Sequence, residues 1–148
     1  MPHPDAVRLI AELTRRGERL GLAESLTGGL LTSALVDVPG ASAVVTGGVV
    51  AYATPIKAAV LGVDAALLAE RGAIDEEVAR QMARGARAVF SLDGEPATFG
   101  ISTTGVAGPD PQDGHAPGTV WVAVASSTVD TARLIRAGGD RDAVRRAA

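Results

Sequence analysis

The segment that is most informative about the fold is Leu20-Gly21-Leu22-Ala23-Glu24-Ser25-Leu26-Thr27-Gly28-Gly29. Its first five residues are typical of a short buried strand. A helix is predicted over residues 27–36, entered through the glycine pair. Ser25 therefore falls at a strand-to-helix junction, which is where ligands collect in open α/β sheets.

Outward from this junction, predicted helices and strands alternate one for one at first, and several strands follow in succession. This order predicts an α/β fold of the three-layer α/β/α sandwich class, built around a mixed sheet in a single domain of residues 1–148. Further helices are predicted at residues 5–16, 55–62, 64–70, 75–90 and from 140 onward, and strands at 44–53, 97–103, 119–127 and 131–136.

The composition of the chain argues against several classes of function. The 148 residues carry a net charge of −3 and contain no cysteine, which excludes disulfides, thiol catalysis and Cys-ligated zinc. The acidic balance argues against nucleic acid as the main ligand, and no apolar segment is long enough for a membrane span. Two distant histidines and scattered carboxylates show no metal-ligand spacing. We therefore expect a cytoplasmic protein without a metal site or cofactor.

Ser25 is the first candidate for chemistry. A hydroxyl at this junction projects from the edge of the sheet, and a helix N-terminus offers free N–H groups and a favourable dipole to a developing oxyanion. An acyl-transfer nucleophile needs this environment. The alternative is that Ser25 or Thr27 is an ordinary N-cap.

Tyr52 and Lys57 are the only tyrosine and the only lysine of the chain, and they lie five residues apart. A serine without a histidine base needs another proton acceptor, and a lysine whose pKa is lowered by burial serves, with a phenol nearby to relay or orient the proton. The alternatives are a solvated helix lysine and a half-buried strand tyrosine.

Two further segments suggest ligand binding. Successive glycines in Thr104-Gly105-Val106-Ala107-Gly108-Pro109 let backbone N–H groups converge on an anion, although a plain turn between two strands is the alternative. In Gly139-Asp140-Arg141, Asp140 is typical of a helix cap, and Arg141 is suited to a phosphate or carboxylate. The alternative for Arg141 is a surface ion pair.

In combination these motifs closely resemble the CinA C-terminal domain family, whose stand-alone members are nicotinamide-nucleotide amidohydrolases. The resemblance runs over roughly residues 6–146. Besides the stretches at 23–29, 104–109 and 139–141, it rests on Gly47-Gly48-Val49-Val50-Ala51-Tyr52, Lys57 with Leu61-Gly62-Val63, Gly72-Ala73-Ile74 and Pro117-Gly118-Thr119-Val120-Trp121.

The resemblance implies metal-free hydrolysis of nicotinamide mononucleotide to nicotinic acid mononucleotide and ammonia. It implies Ser25 as nucleophile, Lys57 as its base and Tyr52 as a partner in proton handling. A homo-oligomer is also expected. Two alternatives remain open, namely a non-catalytic nucleotide-binding or regulatory module, and a hydrolase of another small amide. The residues expected to bind the nucleotide substrate are Thr27, Gly28, Gly29, Thr104, Gly105, Gly108 and Arg141.

Overall fold

The computed structural model describes residues 1–148 and contains five strands and six α-helices. The helices are α1 (Pro4–Arg16), α2 (Leu30–Val36), α3 (Thr54–Leu61), α4 (Ala65–Arg71), α5 (Glu76–Val89) and α6 (Arg141–Ala147). The strands are β1 (Leu20–Glu24), β2 (Val45–Val50), β3 (Phe99–Gly105), β4 (Thr119–Ala125) and β5 (Asp130–Arg136).

The strands form one mixed sheet in the order β2-β1-β3-β4-β5. β1 runs parallel to both of its neighbours, whereas β4 is antiparallel to β3 and β5 is antiparallel to β4. The carboxyl ends of β1, β2 and β3 therefore meet at one edge of the sheet.

Both faces of the sheet are covered by helices, so the predicted three-layer sandwich is confirmed. Alternate residues of β1 point to opposite faces, as the pleat of a strand requires. Leu20 and Leu22 pack with α1 and α2, whereas Ala23 packs with α3, α4 and α5. α6 lies on the same face as α1 and α2, where its Val144 packs against Val120 of β4.

The sequence explains where the long helix α5 begins and why it packs closely against β1. Asp75 caps it by accepting hydrogen bonds from the N–H groups of Glu77 and Val78 at 2.8 and 3.1 Å. Gly21 of β1 allows the close approach of α5, because a Cβ at this position would lie 2.6 Å from the carbonyl oxygen of Ala86.

Two predicted boundaries are wrong at the edge where the parallel strands end. The helix predicted over residues 27–36 begins only at Leu30, because Gly28 and Gly29 adopt left-handed φ angles of 58° and 100°. The strand predicted over residues 44–53 ends at Val50, where its pairing with Glu24, the last residue of β1, also ends. The other predicted elements lie within about two residues of the observed ones.

None of the six helices has the length and hydrophobicity that crossing a bilayer would require.

Candidate active site

The candidate site lies where the three parallel strands end. Ser25 follows β1 directly, Lys57 is carried on the helix that follows β2, and the glycine loop follows β3. Chain segments far apart in the sequence, from Ser25 to Arg141, thus meet at one pocket of about 580 Å³. The pocket is lined by Ser25, Leu26, Tyr52, Ala53, Thr54, Ala73, Ile74, Thr104, Gly105, Val106, Ala107, Gly108, Pro109, Asp110, Pro111, Gln112 and Arg141.

Ser25 and Lys57 form a buried pair at this pocket. Lys57 Nζ lies 3.0 Å from Ser25 Oγ, and the two residues are 1% and 7% exposed. Nζ also donates hydrogen bonds to the main-chain oxygens of Ala51 at 2.8 Å and Tyr52 at 3.2 Å. The short segment between β2 and α3 presents these two carbonyls to Nζ. The amine is therefore held by two neutral acceptors and one hydroxyl, without a carboxylate in contact.

This environment favours the neutral amine. Burial lowers the pKa of Lys57 to about 8, against an ordinary value of 10.5, because desolvation penalises the ammonium form. The carboxylate of Asp113 acts in the opposite direction and raises the pKa of Lys57, but by less. The N–H of Ala73 donates a hydrogen bond to Asp113 Oδ2 at 3.2 Å and fixes the position of this carboxylate. A substantial fraction of Lys57 is therefore deprotonated near pH 8.

A tight turn presents Ser25. The Ser25 N–H donates to the carbonyl oxygen of Thr103 at 3.0 Å, and the Gly28 N–H closes the turn on the carbonyl oxygen of Ser25 at 3.1 Å. The N–H groups of the two intervening residues, Leu26 and Thr27, have no acceptor within the chain. The turn therefore leaves two unpaired backbone donors directly after the serine.

The buried Glu24 side chain binds the N–H groups at the N-terminus of α2. Its fully buried carboxylate accepts hydrogen bonds from the N–H groups of Gly29, Leu31 and Thr32 at 3.1, 3.0 and 2.9 Å, and from the Thr32 hydroxyl at 2.6 Å. Burial alone would raise the pKa of Glu24, but hydrogen bonds from Thr27, Thr32 and Leu31 outweigh it and hold the pKa below its ordinary value. The expectation that this helix end offers its free N–H groups to an oxyanion is therefore wrong.

A hydroxyl pair connects the serine turn with β3. The Oγ1 atoms of Thr27 and Thr103 lie 2.8 Å apart, and both side chains are buried. Either hydroxyl can donate to the other. This contact fastens the serine turn to β3.

Tyr52 and Arg141 both line the pocket and are hydrogen-bonded to each other. Arg141 Nη2 donates to the Tyr52 hydroxyl at 3.0 Å, and Arg141 Nη1 donates to the carbonyl oxygen of Gly108. The Tyr52 side chain is 61% exposed, and its hydroxyl makes no hydrogen bond to Ser25 or Lys57. It is the main-chain oxygen of Tyr52, and not its phenol, that contacts the lysine.

The glycine loop packs closely against its neighbours. A Cβ at Gly105 would lie 2.6 Å from the carbonyl oxygen of Thr119, and Gly108 has a φ of 90°. The Thr104 hydroxyl donates to the carbonyl oxygen of Ala73 at 2.6 Å. The N–H groups of Ala107 and Gly108 have no acceptor within the chain. The loop therefore adds a second pair of unpaired backbone donors to the rim of the pocket.

The structure brings together most of the predicted site residues. Ser25, Tyr52, Thr104, Gly105, Gly108 and Arg141 line the pocket, and Lys57 lies behind Ser25. Thr27, Gly28 and Gly29 do not line it, and they shape the turn instead.

Three charged residues near the pair were not predicted from the sequence, namely Glu24, Asp113 and Arg145. The position of Glu24 next to Ser25 was the one available signal. Arg145 donates to the main-chain oxygens of Leu26 and Thr27 from a sequence distance of almost 120 residues, which no local pattern reveals.

These features define a three-layer α/β protein with a buried serine–lysine pair at the edge of a mixed sheet where its parallel strands end. Solved structures share the fold. A competence-damaged protein (CinA) superfamily protein from Klebsiella pneumoniae is 34% identical, with a TM-score of 0.89 over 96% of this chain and 86% of that one. The competence/damage inducible protein CihA from Agrobacterium tumefaciens is 33% identical, with a TM-score of 0.88 over 99% and 90%.

Relatives found by sequence comparison indicate the same family as the solved structures. A CinA-like protein from Anaeromyxobacter sp. is 51% identical over 143 residues, which are 95% of this chain and 33% of that protein. A CinA-like protein from Frankia casuarinae is 47% identical over 133 residues, which are 90% of this chain and 30% of that protein. The chain thus spans about a third of the length of the curated relatives it matches. The CinA C-terminal domain model matches residues 4–148, and the chain belongs to that family.

Proposed function

We propose that this protein is an amidohydrolase, in which Ser25 attacks a carboxamide and Lys57 is its general base. The observation that carries the proposal is the 3.0 Å contact between Lys57 Nζ and Ser25 Oγ in a buried setting. An unassisted serine hydroxyl is a weak nucleophile, and an adjacent base activates it.

The hydrogen bonds of Lys57 orient the lone pair of its amine toward Ser25. A neutral amine has two N–H donors and one lone pair. The carbonyl oxygens of Ala51 and Tyr52 accept both N–H groups, so the lone pair is directed at the third neighbour, Ser25 Oγ. In the ammonium form the same contact is a hydrogen bond from Nζ to Oγ, and the serine keeps its proton. Only the neutral form accepts that proton.

The reaction then follows in two stages. Lys57 accepts the Ser25 proton as Oγ bonds to the amide carbon, and the carbonyl oxygen becomes an oxyanion. The Lys57 ammonium passes the proton to the amide nitrogen, the C–N bond breaks, and ammonia leaves an ester on Ser25. Water then attacks the ester with Lys57 as base, the carboxylic acid is released, and Ser25 regains its proton.

The oxyanion needs donors that are already in place. The N–H of Leu26 belongs to a pocket-lining residue, follows the nucleophile directly and is unpaired within the chain. We assign it as the first donor, with the N–H of Thr27 beside it. Backbone donors held in this way stabilise the transition state without reorganisation, and loss of one such donor costs roughly 100-fold to 1,000-fold in kcat in a serine hydrolase.

We propose nicotinamide mononucleotide as the substrate. The family resemblance supplies this assignment, and the pocket chemistry supports it. A volume of about 580 Å³ is in the range of small-molecule sites. Ile74 and Val106 give an apolar wall for a ring, while Arg141 and the unpaired N–H groups of Ala107 and Gly108 suit a phosphate.

The decisive experiment measures two products. Purified protein is incubated with nicotinamide mononucleotide, and ammonia and nicotinic acid mononucleotide are quantified together. We expect stoichiometric release of both from the wild type and none from Ser25→Ala. Normal release from Ser25→Ala would contradict the mechanism. Binding of the nucleotide without product would favour the regulatory module over the enzyme.

A substrate comparison separates this amidase from a hydrolase of other small amides. Nicotinamide riboside carries the same carboxamide without the phosphate. We expect a large loss of kcat/KM for the riboside, since it cannot make the contacts that Arg141 and the loop N–H groups offer to a phosphate. Equal turnover of both compounds would mean that the phosphate is not recognised.

A further inference from the structure

We propose that Arg145 is a positioning residue for the proposed hydrolysis, and that it fixes the turn whose N–H groups receive the oxyanion. The proposal rests on the function proposed above. From α6, Arg145 Nε donates to the carbonyl oxygen of Leu26 at 2.9 Å, and its Nη2 donates to that of Thr27 at 3.1 Å. One guanidinium thus holds two consecutive carbonyls of the segment that follows the nucleophile.

The geometry of the peptide group converts these contacts into a constraint on the donors. In a trans peptide the C=O and N–H bonds point in opposite directions. The Leu26 carbonyl shares its peptide plane with the Thr27 N–H, so Arg145 fixes the direction of that N–H. The Ser25 carbonyl shares its plane with the Leu26 N–H, and the Gly28 N–H fixes it. Each unpaired N–H is therefore oriented by a hydrogen bond to the carbonyl oxygen of its own peptide group.

A guanidinium suits this task better than an ammonium. Its planar fork presents donors at fixed spacing, and charged donors form stronger hydrogen bonds than neutral ones. The Glu24 carboxylate holds the segment that follows the turn, through the N–H groups of Gly29, Leu31 and Thr32. Arg145 binds carbonyl oxygens of the turn itself, so the two charged groups fix adjacent stretches of the chain.

The arrangement of α6 explains how Arg145 stays in place. Val144 is buried in a cluster with Leu26, Ala107 and Val120, which anchors the helix beside the turn. Arg141 lies one helical turn earlier and binds at the mouth of the pocket. The same short helix therefore supplies a residue for the pocket and a residue for the serine turn.

A positioning role has a kinetic signature. Misaligned N–H donors weaken transition-state stabilisation and leave substrate contacts intact, so kcat falls and KM changes little. A purely structural role would lower the melting temperature and the fraction of active protein, but would leave the turnover of each active site unchanged.

The test compares Arg145→Met, Arg145→Lys and the matched control Arg146→Met. Arg146 is the next residue of α6, is exposed, and pairs only with Asp142 at 2.7 Å. For each variant the full-length protein is reacted with a fluorophosphonate, which labels an activated serine without needing the amide substrate. The labelled amount counts active sites, and the labelling rate reports on the turn. kcat and KM are then expressed per labelled site.

For Arg145→Met we expect kcat and the labelling rate to fall by about 30-fold to 100-fold, with KM within about threefold of the wild type. Arg145→Lys should recover only part of this loss, and Arg146→Met should stay within about twofold. A wild-type kcat per labelled site in Arg145→Met overturns the proposal, whatever its melting temperature.

The same experiment distinguishes failure of the amidase proposal from failure of the role proposed for Arg145. If wild-type protein is labelled at Ser25 but releases no ammonia, the amidase is overturned and the labelling rates still decide the role of Arg145. If wild-type Ser25 is not labelled at a saturating concentration of reagent, both proposals are overturned.

Discussion

Lys57 Nζ lies 3.0 Å from Ser25 Oγ, and both of its other hydrogen bonds end on main-chain oxygens. No acidic side chain touches the amine, so no anion in contact with it offsets the cost of burying the ammonium form. The proton therefore leaves Lys57 more easily than it leaves an exposed lysine. The predictions below follow from this pair and from the residues that hold it.

The rate of amide hydrolysis should increase with pH through about 8. The proposed mechanism requires neutral Lys57, whose pKa burial lowers to about 8. Well below this value kcat/KM should rise by about tenfold for each pH unit, and it should level off above it. The measurement is kcat/KM between pH 6 and 10 with nicotinamide mononucleotide.

Lys57→Arg is the control for charge, because a guanidinium does not lose its proton in a protein. We expect no detectable turnover from this variant at any pH. A wild-type rate in Lys57→Arg, or a wild-type profile without an increase near pH 8, would contradict the assignment of the base.

The stability of the fold should also depend on the protonation of Lys57. The folded pKa of about 8 lies below the ordinary value of 10.5, so between these values the unfolded chain binds a proton that the folded chain does not. The wild type should therefore gain stability relative to Lys57→Met as pH rises from 8 to 10.5, by on the order of 3 kcal/mol in total. Below pH 8 the difference should be constant.

Urea unfolding of both proteins at intervals from pH 7 to 10 measures this difference. Groups that both proteins share cancel in the comparison, so the slope isolates Lys57. A difference that stays constant from pH 7 to 10 would show that the folded pKa of the lysine is not lowered.

Glu24→Gln should destabilise the protein and slow the reaction. The amide would turn an NH2 group toward the N–H donors that now bind a carboxylate, which leaves buried donors unsatisfied. We expect a loss of about 2 kcal/mol in the free energy of unfolding. Because the folded pKa of Glu24 is lowered, this stabilisation is complete above the ordinary value of 4.5 and is lost only as pH falls through the folded pKa.

The matched control is Glu70→Gln on α4, where the side chain is exposed. That substitution should change the free energy of unfolding by less than about 0.5 kcal/mol. Denaturant unfolding at pH 7 compares the two variants, and equal effects would contradict the role given to the Glu24 carboxylate.

Tyr52→Phe should affect substrate binding more than chemistry. The Tyr52 hydroxyl accepts its hydrogen bond from Arg141 at 3.0 Å, whereas Lys57 binds the main-chain oxygen, which phenylalanine retains. We expect KM to rise by about twofold to tenfold and kcat to stay within about threefold. Steady-state kinetics decides this, and a loss of kcat beyond about 100-fold would instead support the phenol as a partner in proton transfer.

Much of the site could be predicted because its members stand out locally. Ser25 lies between a buried strand and a glycine pair, and Lys57 is unique in the chain. Parallel strands then bring their carboxyl ends together, so a topology of this class places the two residues near each other. The remaining contacts depend on tertiary geometry.

The errors in the prediction have physical causes. Helical periodicity over residues 27–36 does not show that two consecutive glycines take left-handed φ angles, and so the start of α2 was placed three residues early. Arg145 contacts the serine turn only because α6 packs against β4 and the turn, which is a long-range consequence of burying Val144. Local sequence patterns carry no information about such a contact.

The presence of one lysine in the chain makes this candidate site unusually easy to observe by spectroscopy. Incorporation of lysine labelled with a nitrogen isotope at Nζ alone gives a single amine resonance, and that resonance comes from the proposed base. Its chemical shift, followed across a pH titration, reads out the protonation of Lys57 without substrate and without mutation. The same signal would respond directly to a molecule that enters the pocket beside Ser25.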